Sequence, residues 1–314
     1  MMVARRKKKA KKKVKEEASE TGTGEVIEEE TEEVEEEIID SILQEVVDDM
    51  NVAFGEDTAF LPESEDDKIC SADDWVSLTD DIDDAIGTKG APAGYITHIY
   101  GLPDSGKTTL ACHALADTQK QGGIAILGMT ERKFSLQRAT DIGVDIKRLV
   151  VIRAKTMEDF FMKMERILKK VKSKSGKRLV TIVWDSLGGT VTKAELEGSA
   201  EDHHMAVAAR VIKKNLRRLV QYIADEKICF IIINQVYGKM NVSFGKKTTP
   251  YGGNSPYYLS ALCIEMVQIG KHTKQVKGKK VKVGIKSLVT ITKNHLAKPF
   301  NEVEIKIDAN GVVR

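Results

Sequence analysis

Short apolar runs alternate with longer amphipathic stretches over most of the chain. The apolar runs are rich in β-branched residues, predict strands, and lie at residues 95–100, 124–129, 149–152, 179–184 and 228–233. Between them, apolar residues recur at helical spacing, most clearly over residues 157–171 and 205–223. Buried strands that alternate with helices are typical of a mostly parallel sheet covered on both faces. The pattern therefore predicts an α/β fold, with a mostly parallel sheet flanked by helices.

The pattern changes near the C-terminal end of the chain. Apolar runs at residues 262–269, 288–292 and 303–307 follow one another without a helical pattern between them. Strands joined in this way pair as antiparallel hairpins. We therefore expect a C-terminal antiparallel extension of the sheet.

Charge separates the N-terminal part of the chain from this core. Residues 1–24 are predicted to be a disordered basic tail, because like charges repel and little apolar surface is available for burial; contact with phosphate backbones or a nuclear address is the alternative. Residues 25–74 are acidic, and apolar residues recur in them at helical spacing, which predicts an N-terminal helix and a linker or oligomerisation segment. The helix would dock on its own core or on another copy. Residues 75–314 would form the core.

Composition excludes several classes of protein. Hydrophobic residues make up 41% of the 314 residues, yet no apolar run is long enough to span a bilayer, and the N-terminus lacks the apolar core of a secretory signal. The four cysteines are widely separated and form no C-x-x-C pair. This distribution argues against a disulfide scaffold and against structural zinc. We expect an intracellular protein without a membrane partner.

Residues 101–109 carry the spacing of a phosphate-binding loop. Gly101, Gly106, Lys107 and Thr108 form the pattern G-x-x-x-x-G-K-T directly after a predicted strand and before a predicted helix. Glycines let backbone N–H groups approach phosphate oxygens, and the helix N-terminus favours anions. Lys107 would neutralise the β- and γ-phosphates, and the Thr108 hydroxyl would contact Mg²⁺. The sequence thus predicts binding of ATP with Mg²⁺, whereas the alternative is an ordinary glycine turn.

Three polar residues follow the ends of other predicted strands, where ligands bind in such sheets. Asp185 suits the coordination shell of Mg²⁺, or it caps the next helix. Glu131 would polarise the water that attacks the γ-phosphate, or it is a solvated loop glutamate. Gln235 would donate a hydrogen bond to the γ-phosphate, or it is a buried structural amide. The spacing alone leaves each pair of alternatives open.

Two polar loops are candidates for contact with nucleic acid. Residues 238–254 form a long basic segment between two core strands, and such a segment within a compact domain is usually functional. The glycines and lysines of this loop suit a nucleic-acid backbone, and Met240 and Phe244 suit stacking or wedging on bases. The second loop, residues 198–205, precedes a helix with several basic residues, some of which are ordinary solvated surface. Zinc binding by its two adjacent histidines is disfavoured, since they do not face one way on a helix.

Residues 75–307 resemble the ATPase core of RecA-type homologous-recombination proteins, especially the bacterial and phage kinds. The resemblance is carried by residues 101–109, 185–190, 193–198, 204–210, 233–235, 244–245, 252–254, 293–294 and 299–300, at matching mutual spacing. It implies a RecA-like phosphate-loop ATPase fold. It also implies nucleotide contacts at Gly101, Pro103, Asp104, Ser105, Gly106, Lys107, Thr108, Thr109, Asp185 and Arg138, with Thr108 and Asp185 at the metal.

The same resemblance implies roles for further residues. Glu131 becomes the catalytic glutamate, Gln235 the sensor that links the γ-phosphate to the second DNA loop, and Lys293 a lysine that reaches the ATP of the adjacent subunit. The DNA contacts that it implies are Met205, Arg210, Arg217, Lys239, Met240, Phe244, Gly252, Gly253 and Asn254.

Three positions depart from the family pattern. His295 stands where a second lysine that crosses between subunits is expected, and Arg138 replaces the aromatic residue expected against adenine. Met129 replaces an acidic residue near Glu131. These departures put base selectivity and full turnover in question.

The sequence as a whole predicts an ATP-dependent DNA recombinase. It would assemble as a helical homo-oligomeric filament on single-stranded DNA and pair that strand with homologous duplex DNA. It would be cytoplasmic and associated with the nucleoid, or lie in the host-cell cytoplasm if viral. The alternatives are a non-catalytic recombination mediator or filament partner, and a helicase motor on the same core.

Overall fold

The computed structural model describes residues 24–55, 58–61, 71–130, 134–174, 178–198, 205–238, 248–276 and 278–313. The chain divides into two compact units, residues 1–69 and 70–314. Among the described residues, no helix is long and apolar enough to cross a membrane.

The first unit contains helix α1 (Gly24–Phe54). The acidic stretch is therefore helical over most of its length, and the basic residues 1–23 lie outside the described residues. Apolar side chains remain exposed along this helix, among them Ile39, Leu43 and Val46. At its C-terminal end, the Asn51 side chain donates to the backbone oxygen of Ala59 and accepts from its N–H, each at 2.9 Å.

The second unit contains the remaining elements. Its helices are α2 (Asp80–Ile86), α3 (Lys107–Lys120), α4 (Leu136–Ile142), α5 (Met157–Lys174), α6 (Lys193–Glu197), α7 (Met205–Asp225) and α8 (Ser255–Leu259). Its strands are β1 (Trp75–Val76), β2 (Ala91–Pro92), β3 (Ile96–Gly101), β4 (Ile124–Met129), β5 (Leu149–Arg153), β6 (Val180–Asp185), β7 (Ile228–Gly238), β8 (Thr248–Pro250), β9 (Leu262–Val276), β10 (Lys279–Asn294), β11 (Glu302–Asp308) and β12 (Gly311–Val313).

Most strands form one sheet in the order β12-β11-β10-β9-β3-β7-β6-β4-β5, and β8 pairs with β7. The strands from β9 through β3, β7, β6 and β4 to β5 are parallel. Strands β9 to β12 pair antiparallel, as predicted for the C-terminal part of the chain. The α/β class and the C-terminal antiparallel extension are thus confirmed.

Helices cover both faces of this sheet, because each presents an apolar stripe to it. On one face α3 packs through buried residues such as Leu110 and Leu115. On the other face lie α5 and α7, and α7 buries Ala208, Ile212, Leu216, Leu219 and Ile223 at helical spacing. The parallel strands, apolar on both sides, are therefore held at the centre, with their carboxyl ends at one edge.

Three strands are much longer than predicted. Strand β7 continues beyond the predicted 228–233 to Gly238, and β9 and β10 reach Val276 and Lys279. The hairpin of β9 and β10 runs past its neighbours, since β3 pairs with β9 only as far as Met266. The tip of the hairpin, residues 273–275 and 278–282, is exposed, and its mixed polar and basic residues give no apolar run, whereas His272 and Ser287 nearer the core are buried.

Candidate nucleotide-binding site and nucleic-acid interface

The loop between β3 and α3 is shaped by close contacts with the C-terminal strands. Gly106 has a φ of 98°, in the left-handed region, and a Cβ there would overlap Cδ1 of Ile307. The Ser105 hydroxyl donates to the Leu102 oxygen at 2.9 Å, and the Ser287 hydroxyl donates to the Ser105 oxygen at 2.9 Å. The loop conformation therefore depends on residues far along the chain.

We expect Gly106→Ala to lower the free energy of unfolding by roughly 2–5 kcal/mol, since the left-handed backbone costs alanine about 1–2 kcal/mol and overpacking about 1–3 kcal/mol. Gly122→Ala is the matched control, because Gly122 has a φ of 74° but open space within 4 Å of the point where a methyl group would lie. The free energy of unfolding of Gly122→Ala should fall only by the cost of the left-handed backbone, about 1–2 kcal/mol. Urea unfolding measures both, and equal losses would contradict the close approach of Ile307.

Lys107 lies folded against this loop. It is only 7% exposed, and its Nζ donates to the Leu102 oxygen at 2.6 Å and to Ser105 Oγ at 3.3 Å. An ammonium at the first residue of α3 adds its full charge to the partial positive charge of the helix N-terminus. This corner of the molecule is thus suited to an anion.

Thr108 and Asp185 meet beside Lys107. The Thr108 hydroxyl donates to Asp185 Oδ2 at 2.9 Å, and Asp185, at the end of β6, is 9% exposed. A hydroxyl and a carboxylate in contact are the hard oxygen ligands that Mg²⁺ prefers, usually with water and phosphate completing the shell. The residues present therefore fit a magnesium ion.

A cavity of about 760 Å³ surrounds these groups, within the size range of small-molecule sites. Most predicted nucleotide contacts line it, namely Pro103, Asp104, Gly106, Lys107, Thr108, Thr109, Arg138, Asp185 and Gln235. Its outer wall comes from β10 and β11 and includes Val283, Gly284, Ile285, Ile307, Asp308 and Ala309. Sequence reasoning missed this wall and Ser287, a small hydroxyl residue between Lys286 and the predicted apolar run at residues 288–292.

Arg138 lies at the end of the cavity away from Lys107. Its Nη2 donates to Thr109 Oγ1 at 3.1 Å and to the Asp308 oxygen at 3.3 Å. Ser135 caps α4 by accepting from the Arg138 N–H. The guanidinium therefore joins the first turn of α3 to the end of β11.

Gln235 lies on β7 opposite Gly101, so the sheet register brings it to the loop. Beyond it, β7 pairs with β8, with Val236 opposite Pro250 and Gly238 opposite Thr248. The backbone N–H of Tyr251 donates to the backbone oxygen of Gln235 at 3.0 Å. One strand thus joins the cavity directly to the predicted DNA loop.

Several predicted site residues fall outside the described residues. They are Glu131, Lys239, Met240 and Phe244, and the side chain of Met205 at the start of α7 is also not described. The position of Thr130, the residue before Glu131, is fixed by two hydrogen bonds. Its N–H donates to the backbone oxygen of Asp185 at 3.0 Å, and its hydroxyl donates to the backbone oxygen of Ser186 at 2.9 Å. The chain therefore enters the Glu131 segment beside the Thr108–Asp185 pair.

The predicted phosphate contacts that are described gather around α7. Arg210 and Arg217 are exposed and line a shallow groove with Lys213, Lys214 and Arg218. The Gly252–Gly253 turn packs on the same helix, and a Cβ at Gly252 would come within 2.5 Å of Ile212 Cδ1. Gly253 and Asn254 remain exposed. The exposed cations of α7, and separately the exposed Gly253 and Asn254, are groups suited to phosphate contacts.

Lys293 is not part of this cavity. It pairs with Cys263 on β9, which lies opposite His98, near the end of β3 away from the phosphate loop. Its Nζ donates to the backbone oxygens of Tyr257 and Tyr258 at 3.0 and 3.1 Å. Burial lowers the pKa of Lys293. A nucleotide in the cavity of the same chain would therefore be out of its reach.

Comparison with known proteins matches the amino-acid sequence of this chain to a family. The family model of the RecA N-terminal domain matches residues 41–313. Protein RecA of Mycoplasma pneumoniae is 35% identical over 234 residues, which cover 74% of this chain and 67% of that protein. Protein RecA of Leptospira meyeri is 35% identical over 235 residues, 74% of this chain and 58% of that protein. Protein RecA of Geobacter sulfurreducens is 35% identical over 226 residues, 72% of this chain and 64% of that protein. The chain thus spans about three fifths to two thirds of the length of these relatives.

Proposed function

The chain belongs to the RecA family, and on that premise we propose that it is an ATP-dependent DNA recombinase. It assembles as a helical filament on single-stranded DNA, and the filament pairs this strand with homologous duplex DNA. Contacts that repeat head to tail without closing generate such filaments. The observation that carries the proposal is the position of Gln235, which lines the nucleotide cavity and lies on the strand that continues into the predicted DNA loop.

ATP binds in the cavity with its phosphates at the N-terminus of α3. Lys107 leaves the Leu102 oxygen and donates to the β- and γ-phosphates, while the N–H groups of the loop contact the remaining oxygens. Thr108 and Asp185 hold Mg²⁺, which when bound supplies positive charge to the phosphate oxygens. Arg138 covers the base end of the cavity, in place of the aromatic residue that the family resemblance led us to expect.

Glu131 positions and deprotonates the water that attacks the γ-phosphate. Lys293 acts on the nucleotide of the adjacent subunit, which accounts for its distance from its own cavity. Gln235 donates its amide N–H to the γ-phosphate and holds residues 239–254 in a DNA-binding arrangement, and hydrolysis releases them. The contacts made in this state are those of Met205, Met240 and Phe244 with bases and of Arg210, Arg217, Lys239 and Gly252–Asn254 with phosphates.

We expect the purified chain to release phosphate from ATP faster when single-stranded DNA is added, and Glu131→Gln to lose about 100-fold or more of that rate. The variant keeps the size and polarity of the side chain but removes the base. Phosphate release with and without an oligonucleotide measures the effect. Glu197→Gln, at the exposed end of α6, is the matched control and should turn over normally.

The same preparation separates the alternatives. A non-catalytic mediator would bind ATP and DNA, but DNA would not raise its phosphate release, and Glu131→Gln would change nothing. A helicase motor would form closed rings and unwind duplex DNA. Electron microscopy with single-stranded DNA and a non-hydrolysable ATP analogue should instead show open helical filaments.

A further inference from the structure

Asn234, the residue before Gln235, is a buried polar hub. Its side chain is fully buried. Its Oδ1 accepts from the backbone N–H of Gln235 at 2.8 Å. Its Nδ2 donates to the backbone oxygen of Tyr251 at 2.9 Å and lies 3.2 Å from Nε2 of His98. One amide group therefore contacts its own strand and two other segments of the unit.

These partners fix which way the amide faces. The Gln235 N–H requires the amide oxygen of Asn234, and the Tyr251 backbone oxygen requires the amide nitrogen. In the reversed orientation the amide N–H would face the Gln235 N–H, and the amide oxygen would face the Tyr251 oxygen. His98 Nε2 must then accept, which places the ring proton on Nδ1. Burial lowers the pKa of His98 to about 3, so the ring stays neutral and keeps the lone pair that Asn234 requires.

Each partner belongs to an element that the proposed function uses. His98 lies in β3, which runs directly into the phosphate loop, and Gln235 lines the nucleotide cavity. Tyr251 follows β8, where the chain returns from residues 239–247, and it precedes the Gly252–Gly253 turn on α7. Tyr251 also donates its N–H to the Gln235 oxygen. The two ends of the predicted DNA loop are thus bound to each other and to β3 through Asn234.

Within the described residues, the His98 ring makes one hydrogen bond, the one with Asn234. Nδ1 of His98 has no hydrogen-bond partner there, so the ring is held by packing and by its single bond to Asn234. A buried ring with one polar contact is better explained by the need for an acceptor at that point than by its own stabilisation, because an unpaired buried N–H is unfavourable.

We propose that Asn234, oriented by the acceptor nitrogen of His98, is a positioning residue that transmits nucleotide occupancy from the Gln235 end of β7 to the DNA loop by holding Tyr251. This inference rests on the proposed function. Asn234 contacts neither nucleotide nor DNA. It ties the returning end of the loop to the sensor strand, so that a shift at Gln235 moves both ends of the loop together.

The test measures the affinity for a fluorescent oligothymidine with and without a non-hydrolysable ATP analogue, and takes the ratio of the two dissociation constants. Asn234→Ala removes both the acceptor for the Gln235 N–H and the donor to the Tyr251 backbone oxygen without introducing an ionisable group. We expect the ratio to fall about tenfold, within the usual range of coupling between sites. Affinity for a fluorescent ATP analogue should stay within about twofold.

A matched pair at His98 tests the same contact without altering Asn234. His98→Gln keeps an acceptor and should retain the ratio, whereas His98→Leu removes it and should lower the ratio. The inference is overturned if the two His98 variants behave alike, if Asn234→Ala leaves the ratio unchanged, or if the ratio falls only in step with nucleotide affinity. A ratio near one in the unaltered chain would instead overturn the proposed function itself.

Discussion

Lys107→Ala should reduce ATP turnover by about 100-fold or more, the usual cost of removing one group that stabilises developing charge. The ammonium stands at the N-terminus of α3, buried beside Thr108 and Asp185, where water screens its charge poorly. Without it, the positive charge facing the phosphates falls to that of the backbone N–H groups and the metal. Nucleotide affinity should weaken as well.

The loss can be assigned to charge because the loop keeps another support. After Lys107 is removed, the Ser105 hydroxyl still donates to the Leu102 oxygen, and Ser287 still donates to the Ser105 oxygen. Thermal unfolding should therefore change little. Lys120→Ala, at the exposed last turn of the same helix, is the matched control and should turn over normally. Turnover that survives in Lys107→Ala would refute the role of the phosphate loop.

Trp184→Ala should lower the free energy of unfolding by roughly 3–5 kcal/mol. Trp184 is fully buried on β6. Its ring stacks on Phe160 with centroids 4.0 Å apart and meets the edge of Phe161 at 5.2 Å, and its indole N–H donates to Thr190 at 3.3 Å. Removing it empties the space between β6 and α5 and leaves the Phe160 ring without its stacking partner.

Urea unfolding followed by far-ultraviolet circular dichroism measures this loss. Trp75→Ala is the control within the same unit, because Trp75 is only half-buried on β1 and should lose about 1 kcal/mol, as is common for partly exposed sites. Equal losses in the two variants would contradict the packing described around β6. Since Asp185 follows Trp184 directly, the variant should also weaken nucleotide binding.

The phosphate loop and the strand-end residues could be predicted because parallel strands bring their carboxyl ends to one edge. Met129 lies opposite Asp185, and Gly101 lies opposite Gln235, so the shared edge of the parallel strands brings these positions together, whereas the order of the strands in the sheet was not predicted. Arg138 was expected near the base, and it does line the cavity. Local pattern and topology therefore determine the inner half of the candidate site.

The outer half depends on information that no local pattern carries. Ile307 and Asp308 reach the cavity only because β11 pairs with β10 in one particular register. The acceptor role of His98 depends on Asn234, which lies two residues beyond the register partner of His98 in β7, and in the sequence His98 is one of two polar residues in a mostly apolar run. The length of the β9–β10 hairpin is likewise set by pairing of two strands whose tip is exposed.

The location of Lys293 has a consequence for how the protein behaves at different concentrations. Ser287 touches the phosphate loop, and Lys293 lies further along the same strand by six positions, or about 20 Å of extended chain. If that lysine contacts the nucleotide of a neighbouring copy, each reaction centre is built from two copies. A single copy then contains no complete reaction centre. Dilution would then abolish ATP turnover without unfolding the protein, and the turnover rate would depend on how many copies are assembled.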